Sequence, residues 1–373
     1  MRIDPINLNT KNKLVSEYRT NGPIMNRFDY QPFNPHTFKE RVDFDRDNLT
    51  TVLTQLNKGW GAPSETLHNI ERLQDKNSVV VIGGQQAGLL SGPLYTIHKI
   101  ISIINLAREQ ERELGIPVIP VFWIAGEDHD FDEINHIMIK QSPRMKKYKI
   151  PQRVNIKQSL SHLPLDKDVA EQWVNRIFET LEETEYTKSY YEKVTQSLEN
   201  AHTYVDFFAQ LIFQIFNKEG LVLIDSGNPL VRNLESKHFV DIIKRQQKIS
   251  DGIYGTLQKL RHDGYPISLD VEENEAHLFY HKNGERILLQ KDGENRWVGK
   301  LNECVFTTQE LINIAKNNPE LLSNNVVTRP LMQELLFPSL AFLGGLGEVG
   351  YWSALKPVFQ SFGIKMPPVI PRL

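Results

Sequence analysis

The sequence predicts an α/β fold built on a parallel sheet, and three stretches carry that expectation. Ser78–Lys99 reads SVVVIGGQQAGLLSGPLYTIHK: four apolar residues, Val79 to Ile82, then a glycine turn, then an apolar-periodic helix. Pro117–Gly126 is a second apolar strand, and Leu221–Asp225 a third. Short strands apolar on both faces and separated by helices are the pattern of a buried parallel sheet.

In the first unit Gly83 and Gly84 stop the strand, and Gln85 and Gln86 open a loop that runs to Gly92. Pro93 is expected at the first helical position, with Ser91 or Gly92 as N-cap. The helix should continue through Tyr95, His98, Ile101 and Ile104 to about Glu113. Gly115 then serves as a C′ glycine, with Pro117 just beyond. The loop is not a dinucleotide fingerprint, because Gln85 stands where the second glycine belongs, and no Walker Lys-Ser or Lys-Thr follows. Two readings of it stand: a cradle for an anion, with Gly88 in the turn and backbone N–H groups at the helix start, or a simple change of direction. Tyr95 and Lys99 share a helix face. The plain alternative makes Lys99 a surface lysine and His98 a hydrogen-bonded core histidine.

The second strand delivers Glu127, Asp128, His129 and Asp130 at its end. Ligands of open α/β sheets bind beyond the carboxyl ends of strands, so this cluster and Gln85–Gln86 are expected on one edge. Four ionisable groups in a row are costly unless they bind something or are hydrated. The competing reading is a helix N-terminus capped by Asp128 or Asp130. His and Asp are metal-ligand types, but contiguous spacing is no metal signature.

The segments divide the chain into six parts. Residues 1–75 read as helical and irregular, with mixed charge and spaced leucines from Thr37 to Asn57 and a short helix from Ser64 to Asp75 (Ser64 as a possible cap). Residues 76–135 form the first half of the core. Residues 136–220 hold a β excursion and helices near Val169–Leu181, Tyr190–Leu198 and Tyr204–Phe216. Residues 221–263 give a core strand and a charged helix from about Pro229, which Asp225 is expected to cap unless it meets a ribose. Residues 264–320 form an antiparallel patch including Ile267–Leu269 and a hairpin at Asn283–Gly284, a strong turn signal between apolar runs. Residues 321–373 return to the core: Pro330 starts a helix, Ala341–Gly345 is a strand, Glu348 leads a helix beginning at Tyr351–Trp352, and Pro367–Arg372 is a last strand. Arg329 fits either a carboxylate or phosphate clamp or a surface ion pair.

Composition narrows the function. The 373 residues are 40% hydrophobic and 24% charged with a net charge of −3, which gives no basic excess of the kind that general nucleic-acid binding needs. Apolar runs fall short of membrane-spanning length, and Met-Arg-Ile-Asp-Pro at the start has no signal core. The single cysteine, Cys304, excludes an intrachain disulfide and fits a reducing cytoplasm.

Gly83-Gly84-Gln85-Gln86-Ala87-Gly88-Leu89, Gly92–Lys99, Phe122–Asp130 and Ser323–Met332 together resemble the bacillithiol-biosynthesis cysteine-adding enzymes of Firmicutes, the BshC family, along the length of the chain. The resemblance implies a Rossmann-type parallel sheet core with connecting-peptide-like insertions, similar to class I aminoacyl-tRNA synthetases. It implies a ligase that joins cysteine to glucosaminyl-malate. Family members run on past Leu373 into a helical coiled coil that makes a homodimer and is associated with an adenine-nucleotide site. A chain ending at Leu373 is therefore expected to be a fragment or truncated product, impaired in dimerisation and in full activity.

Amide formation needs an activated carboxylate, most simply through ATP, cationic or N–H donors for the developing charge, and a base for the amine. The candidate catalytic residues are Asp128, His129, Asp130 and His98. The candidate substrate-binding residues are Gln85, Gln86, Gly88, Tyr95, Lys99, Glu127, Asn324, Asn325, Thr328, Arg329 and Glu348, with no metal ligands assigned. The partners expected are cysteine and glucosaminyl-malate, with no nucleic acid and no membrane. Two other classes remain open: a non-catalytic nucleotide- or sugar-binding partner of a thiol-biosynthesis enzyme, and a metal-dependent hydrolase built on Glu127–Asp130. The ligase reading rests on Gln86, His129 and Asn325 meeting around one crevice.

Overall fold

The computed structural model describes residues 12–31, 44–141 and 143–372. The segment before the first strand gives α1 (Lys13–Arg19), α2 (Arg46–Gly59) and α3 (Ser64–Arg72). The expected helical stretch from Thr37 lies outside the described residues as far as residue 43. Ser64 is the first helical residue of α3 rather than its cap, since Pro63 holds the N-cap position without a side-chain bond.

The core alternates as expected. β1 (Val79–Gln85) leads to α4 (Leu94–Leu114) and β2 (Val118–Ile124), followed by the short α5 (Phe131–Ile134). Gly115 takes the left-handed conformation that ends α4, at φ 65°. Pro93 sits one position earlier than expected, at the N-cap, because Leu90, Ser91 and Gly92 all have positive φ and the chain enters the helix only after them. The first insertion contributes a ribbon, β3 (His136–Gln141) and β4 (Arg144–Lys149), then α6 (Lys167–Glu179), α7 (Thr187–Asn200) and α8 (Tyr204–Ile215). α8 is fixed by a reciprocal capping box between Thr203 and Asp206. β5 (Val222–Asp225) returns to the sheet, and α9 (Pro229–His262) follows.

The cap of α9 is Asn228, whose side chain accepts from the Leu230 N–H at 3.0 Å. Asp225 does not cap it. Its carboxylate is buried, accepting instead from Ser161 Oγ at 2.7 Å and the Gly227 N–H at 2.9 Å, and burial pushes its pKa up to about 6.

β6 (Glu275–Lys282) and β7 (Glu285–Lys291) form the expected hairpin, with Asn283 at φ 53° and Gly284 at φ 85°, as a type I′ turn requires. Ile267–Leu269 is not a strand. β8 (Trp297–Gly299), β9 (Val305–Phe306), α10 (Thr308–Asn317) and β10 (Leu322–Asn324) complete the insertion. β10 was expected in the core but pairs antiparallel with β6 instead.

α11 (Thr328–Leu336) begins two residues before Pro330, β11 (Ser339–Gly344) follows, and α12 (Leu346–Trp352) starts before Tyr351, so Glu348 lies inside its first turn. α13 (Lys356–Ser361) and β12 (Val369–Pro371) end the described chain.

The main sheet has the order β12-β11-β1-β2-β5, and every pair is parallel. From β1 the chain runs outward through β2 to β5, then returns on the other side of β1 with β11 and β12. That reversal is where an open α/β sheet forms its ligand crevice. The strands are buried on both faces, and their apolar side chains join α2, α4, α8 and α9 in one continuous core. The second sheet, β10-β6-β7-β8-β9, is antiparallel and lies across the carboxyl edge of the first, passing the chain through Asn324–Asn325 into α11. Among the described residues no helix is long and apolar enough to cross a membrane.

Candidate active site

Four parallel strands deliver side chains to a crevice of about 640 Å³ at their carboxyl edge. β1 supplies Gln85, with Gln86 just beyond it. Trp123 comes from β2 and Ala125 follows it, Gly345 to Glu348 follow β11, and Arg372 follows β12. Tyr95 of α4, Arg329 and Gln333 of α11, and Tyr351 of α12 close the walls.

The glycines of the first turn allow close packing rather than anion capture. A Cβ on Gly83 would stand 2.6 Å from the Leu343 carbonyl oxygen of the neighbouring strand. Two of the loop amides are committed inside the turn: Gly88 N–H donates to the Gln86 carbonyl and Gly92 N–H to the Leu89 carbonyl. Gly88 is buried, and a Cβ there would meet Gly92 Cα at 2.6 Å.

Lys99 and His98 are reversed relative to the plain sequence reading. Lys99 is sealed from solvent, and its Nζ donates to the Gly84 carbonyl at 2.7 Å, to Gln85 Oε1 at 3.4 Å and to Glu348 Oε2 at 2.5 Å. His98 points to solvent from the outer face of α4 and lines no part of the crevice. The reason is helical spacing: Tyr95 and Lys99, four apart, share the inner face, and His98 lies 100° away around the helix.

A chain of buried charge runs behind the crevice. Glu127 is wholly buried, accepting from Arg329 Nε at 2.6 Å and from Arg232 Nη2 at 2.8 Å. Burial alone would push its carboxyl up, but Arg329, Arg232 and Arg286 outweigh that and hold it below the ordinary range. Arg232 also donates to Glu235 at 2.6 Å, whose carboxyl burial pushes up to about 7. Arg329 is thus no surface ion pair: one edge of its guanidinium is held by Glu127, and about a quarter of the side chain is exposed in the crevice wall.

Asp128 forms the partition between this crevice and a wider cavity of about 1330 Å³ between the two insertions. On the crevice side it accepts from Gln86 Nε2 at 3.3 Å; on the other, Arg286 Nη1 lies 3.4 Å from Asp128 Oδ1 and 3.3 Å from His129 Nδ1. Burial would raise the Asp128 carboxyl, but Arg329 and Arg286 hold it low. His129 lines the wide cavity, and burial followed by Arg286 depresses its pKa, so the ring is neutral at pH 7. Asp130 is exposed at the N-cap of α5, with no side-chain capping bond.

Gln86 also donates to the carboxylate of Glu133. Burial, then the negative charges of Asp130 and Asp128, raises the Glu133 pKa.

Asn324, Asn325 and Thr328 do not face the crevice. Asn325 Oδ1 accepts from the Val327 and Thr328 N–H groups, its Nδ2 donates to Glu275 at 2.9 Å, and Thr328 Oγ1 donates to the His277 carbonyl at 2.8 Å. These bonds lock the turn from β10 into α11. Asn324 is wholly buried, and its backbone carbonyl accepts from Arg286 at 2.6 Å. Gln86 and His129 therefore meet across Asp128 from two cavities, and Asn325 lies apart from both.

Sequence reasoning missed Arg286, Arg232, Glu133, Tyr351 and Arg372. Arg372 carried a usable signal, as the polar residue ending the last strand on the shared edge. Its guanidinium lies over the Tyr95 ring at 4.8 Å. Arg286 carried none, because only the register of a separate hairpin brings it to Asp128. Among the described residues no three His, Cys, Asp or Glu side chains are grouped so as to hold a metal ion.

The family model described as "Bacillithiol biosynthesis BshC, N-terminal Rossmann-like domain" matches residues 1–373. The chain belongs to the BshC family. Similar BshC proteins include one from Oceanobacillus iheyensis, 46% identical over 385 residues, and one from Geobacillus thermodenitrificans, 41% identical over 381 residues; each alignment covers 100% of this chain and 70% of the relative. A Bacillus thuringiensis relative is 44% identical, with 96% of this chain and 68% of the relative covered. All three carry the name "Putative cysteine ligase BshC". The Rossmann-like core of the BshC family is the five-stranded parallel sheet described above.

Proposed function

We propose that the 640 Å³ crevice is the amide-forming site of a ligase that adds cysteine to glucosaminyl-malate. The carboxyl carbon of an activated cysteine forms a bond to the sugar amine. Its bond to the activating group breaks, and the amine proton passes to a base. The relatives' name supports the ligase class. The observation that carries the site is the convergence of Arg329 and Arg372 with Gln85, Gln86, Tyr95 and Glu348 at the ends of four parallel strands.

Arg329 and Arg372 are the groups suited to negative charge developing on the acyl oxygen and the departing group. Gln85, Tyr95 and Tyr351 offer neutral hydrogen bonds for orienting substrate. For the base, Glu133 is the best match. Its carboxyl is the one near the crevice made more basic by its surroundings, whereas Asp128 is held low by two arginines. His129 Nδ1 faces the Arg286 guanidinium, a donor only, so the accepting nitrogen is already engaged.

The resemblance implies an adenine nucleotide as activating group. The Lys99 ammonium is turned inward to Gly84 and Glu348 and the Gly88 and Gly92 amides bond within the turn, so none of these three groups is given a part in activation. The test is mass-spectrometric detection of the cysteinyl product from cysteine and glucosaminyl-malate, with and without ATP, for this chain and for one extended to the relatives' length. Product that depends on ATP and falls at least tenfold in Arg329→Lys and Glu133→Gln supports the reading. Undiminished product in both variants overturns the site.

A further inference from the structure

A cavity of about 280 Å³ opens between α7, α8 and the turn that joins α2 to α3. It shares no lining residue with the crevice or with the wide cavity beside Asp128. No Asp, Glu, Lys, Arg or His lines it, in a protein of which 24% is charged. Five of its lining side chains are instead carboxamides: Gln196 and Asn200 of α7, Gln210 and Gln214 of α8, and Asn217 just beyond that helix. Gln196 and Asn200 are four apart, as are Gln210 and Gln214, so each pair shares one face of its helix. Trp60 and Phe213 supply the apolar wall.

Most of these amides are uncommitted. Asn200 Nδ2 donates to the Gln196 backbone carbonyl at 3.0 Å, and the other four make no side-chain hydrogen bond to the described residues. Ser197 lines the same cavity at 2% exposure, and its Oγ has no hydrogen-bond partner. A buried hydroxyl left unpaired is costly until something satisfies it. Trp60 Nε1 is already engaged, donating to Asp206 Oδ1 at 3.0 Å, so the indole offers the cavity its apolar ring.

That combination selects an uncharged, hydroxyl-rich ligand. Each carboxamide both donates and accepts, as each sugar hydroxyl does, so bonds form in both directions. The C–H face of a sugar ring packs on an aromatic wall without desolvating a charge. A phosphate or carboxylate would find no cation here, and an ammonium no carboxylate. We propose that this cavity binds a neutral polyol about one sugar ring in size, at a site separate from the ligation crevice. Its volume is close to the lower limit of small-molecule pockets, about 300 Å³. Cysteine and glucosaminyl-malate are both charged and do not fit it, so the proposal does not rest on the chemistry of the crevice.

Heteronuclear NMR of the Gln210 side-chain amide reads the site directly on the 373-residue chain. Methyl α-glucoside and myo-inositol, both neutral polyols, should shift its resonances in a saturable way, and inorganic phosphate should not. Gln214→Glu with Asn217→Asp keeps the shape of both side chains but exchanges donors for negative charge, and should weaken polyol binding roughly tenfold or more. Neither amide bonds to the rest of the described protein, so the double variant should fold, which its urea midpoint verifies. Arg329→Lys alters the crevice and should leave the titration unchanged, so failure of one site is told from failure of the other. No shift with either polyol, an affinity that the double variant leaves unchanged, or a saturable shift with phosphate overturns the proposal. So does a shift with N-methylacetamide alone, which would assign the cavity to a peptide group.

Discussion

The Lys99 ammonium lies 2.5 Å from a Glu348 carboxylate oxygen, although 249 residues separate them in the chain. This pair ties the first turn of the sheet to the helix after β11, because Glu348 Oε2 also accepts from the Gly345 N–H at 2.6 Å. Burial lowers the Lys99 pKa, and Glu348 opposes that shift. Lys99→Ala removes a sealed stem and leaves two acceptors in β1 short of a donor. The expected cost is about 3–5 kcal/mol, read by urea unfolding. Lys99→Met keeps the stem and should cost less. Equal losses in the two would mean that the ion pair and its hydrogen bonds, not packing of the stem, carry the stability.

Glu127 is the buried carboxylate that Arg329 and Arg232 share. Removing it strands two guanidinium groups, so Glu127→Ala should destabilise by about 3–5 kcal/mol. Glu127→Gln retains an acceptor oxygen and should be milder. The decisive comparison is Arg329→Lys, which loses the Nε bond but keeps the charge. It should lower ligation far more than it lowers the unfolding midpoint, since Arg329 alone of the three lines the crevice.

Much of the core was legible because its cues are local. Val79 to Ile82 is apolar on both faces, Gly115 ends α4 with a positive φ, and Asn283–Gly284 has the two positive φ values of its hairpin turn. The site was legible only where strand ends place it: Gln85, Gln86 and the residues from Glu127 onward follow from topology. Which way a helical residue faces was not legible from a single turn, and so Lys99 and His98 were exchanged. Asn325 and Thr328 failed for another reason. Polar residues before a helix are as suited to satisfying their own turn as to binding ligand, and here the turn and His277 take them. Arg286 depends on the register of a sheet folded from another part of the chain, which no local pattern encodes.

The buried acids predict a pH dependence of stability. The pKa of Glu235 is raised to about 7 and that of Asp225 to about 6, both by burial. A carboxyl whose pKa is higher in the folded than in the unfolded chain holds its proton more tightly when folded. These two groups therefore favour folding at low pH and cost stability as pH climbs from about 4 through 7. Glu127 and Asp128, held low by arginines, act oppositely: their contribution is present above the unfolded carboxylate range and fades as pH falls below it. Glu235→Gln removes one ionisation from the first set. Between pH 5 and 8 its unfolding free energy should change less steeply with pH than that of the wild type. A variant curve parallel to the wild type over that range would show that Glu235 does not titrate there.

The assignment of Glu133 as proton acceptor predicts the acid limb of the pH–rate profile. A base must be ionised to work, so kcat/KM rises with pH through its pKa, and burial with Asp130 and Asp128 places that rise above the ordinary glutamate range. Glu133→Gln should lower kcat by about 10²–10⁴ and abolish the limb. Two neighbours move it without touching the reacting atoms. Asp128→Asn removes a negative charge and should shift the limb to lower pH. Gln86→Leu removes the hydrogen bond that favours the ionised carboxylate and should shift it to higher pH. Opposite displacements from these two variants, with Glu133 intact, identify the titrating group. A limb that stays put in both but moves when Arg286→Lys alters the surroundings of His129 would place the base in the wider cavity instead.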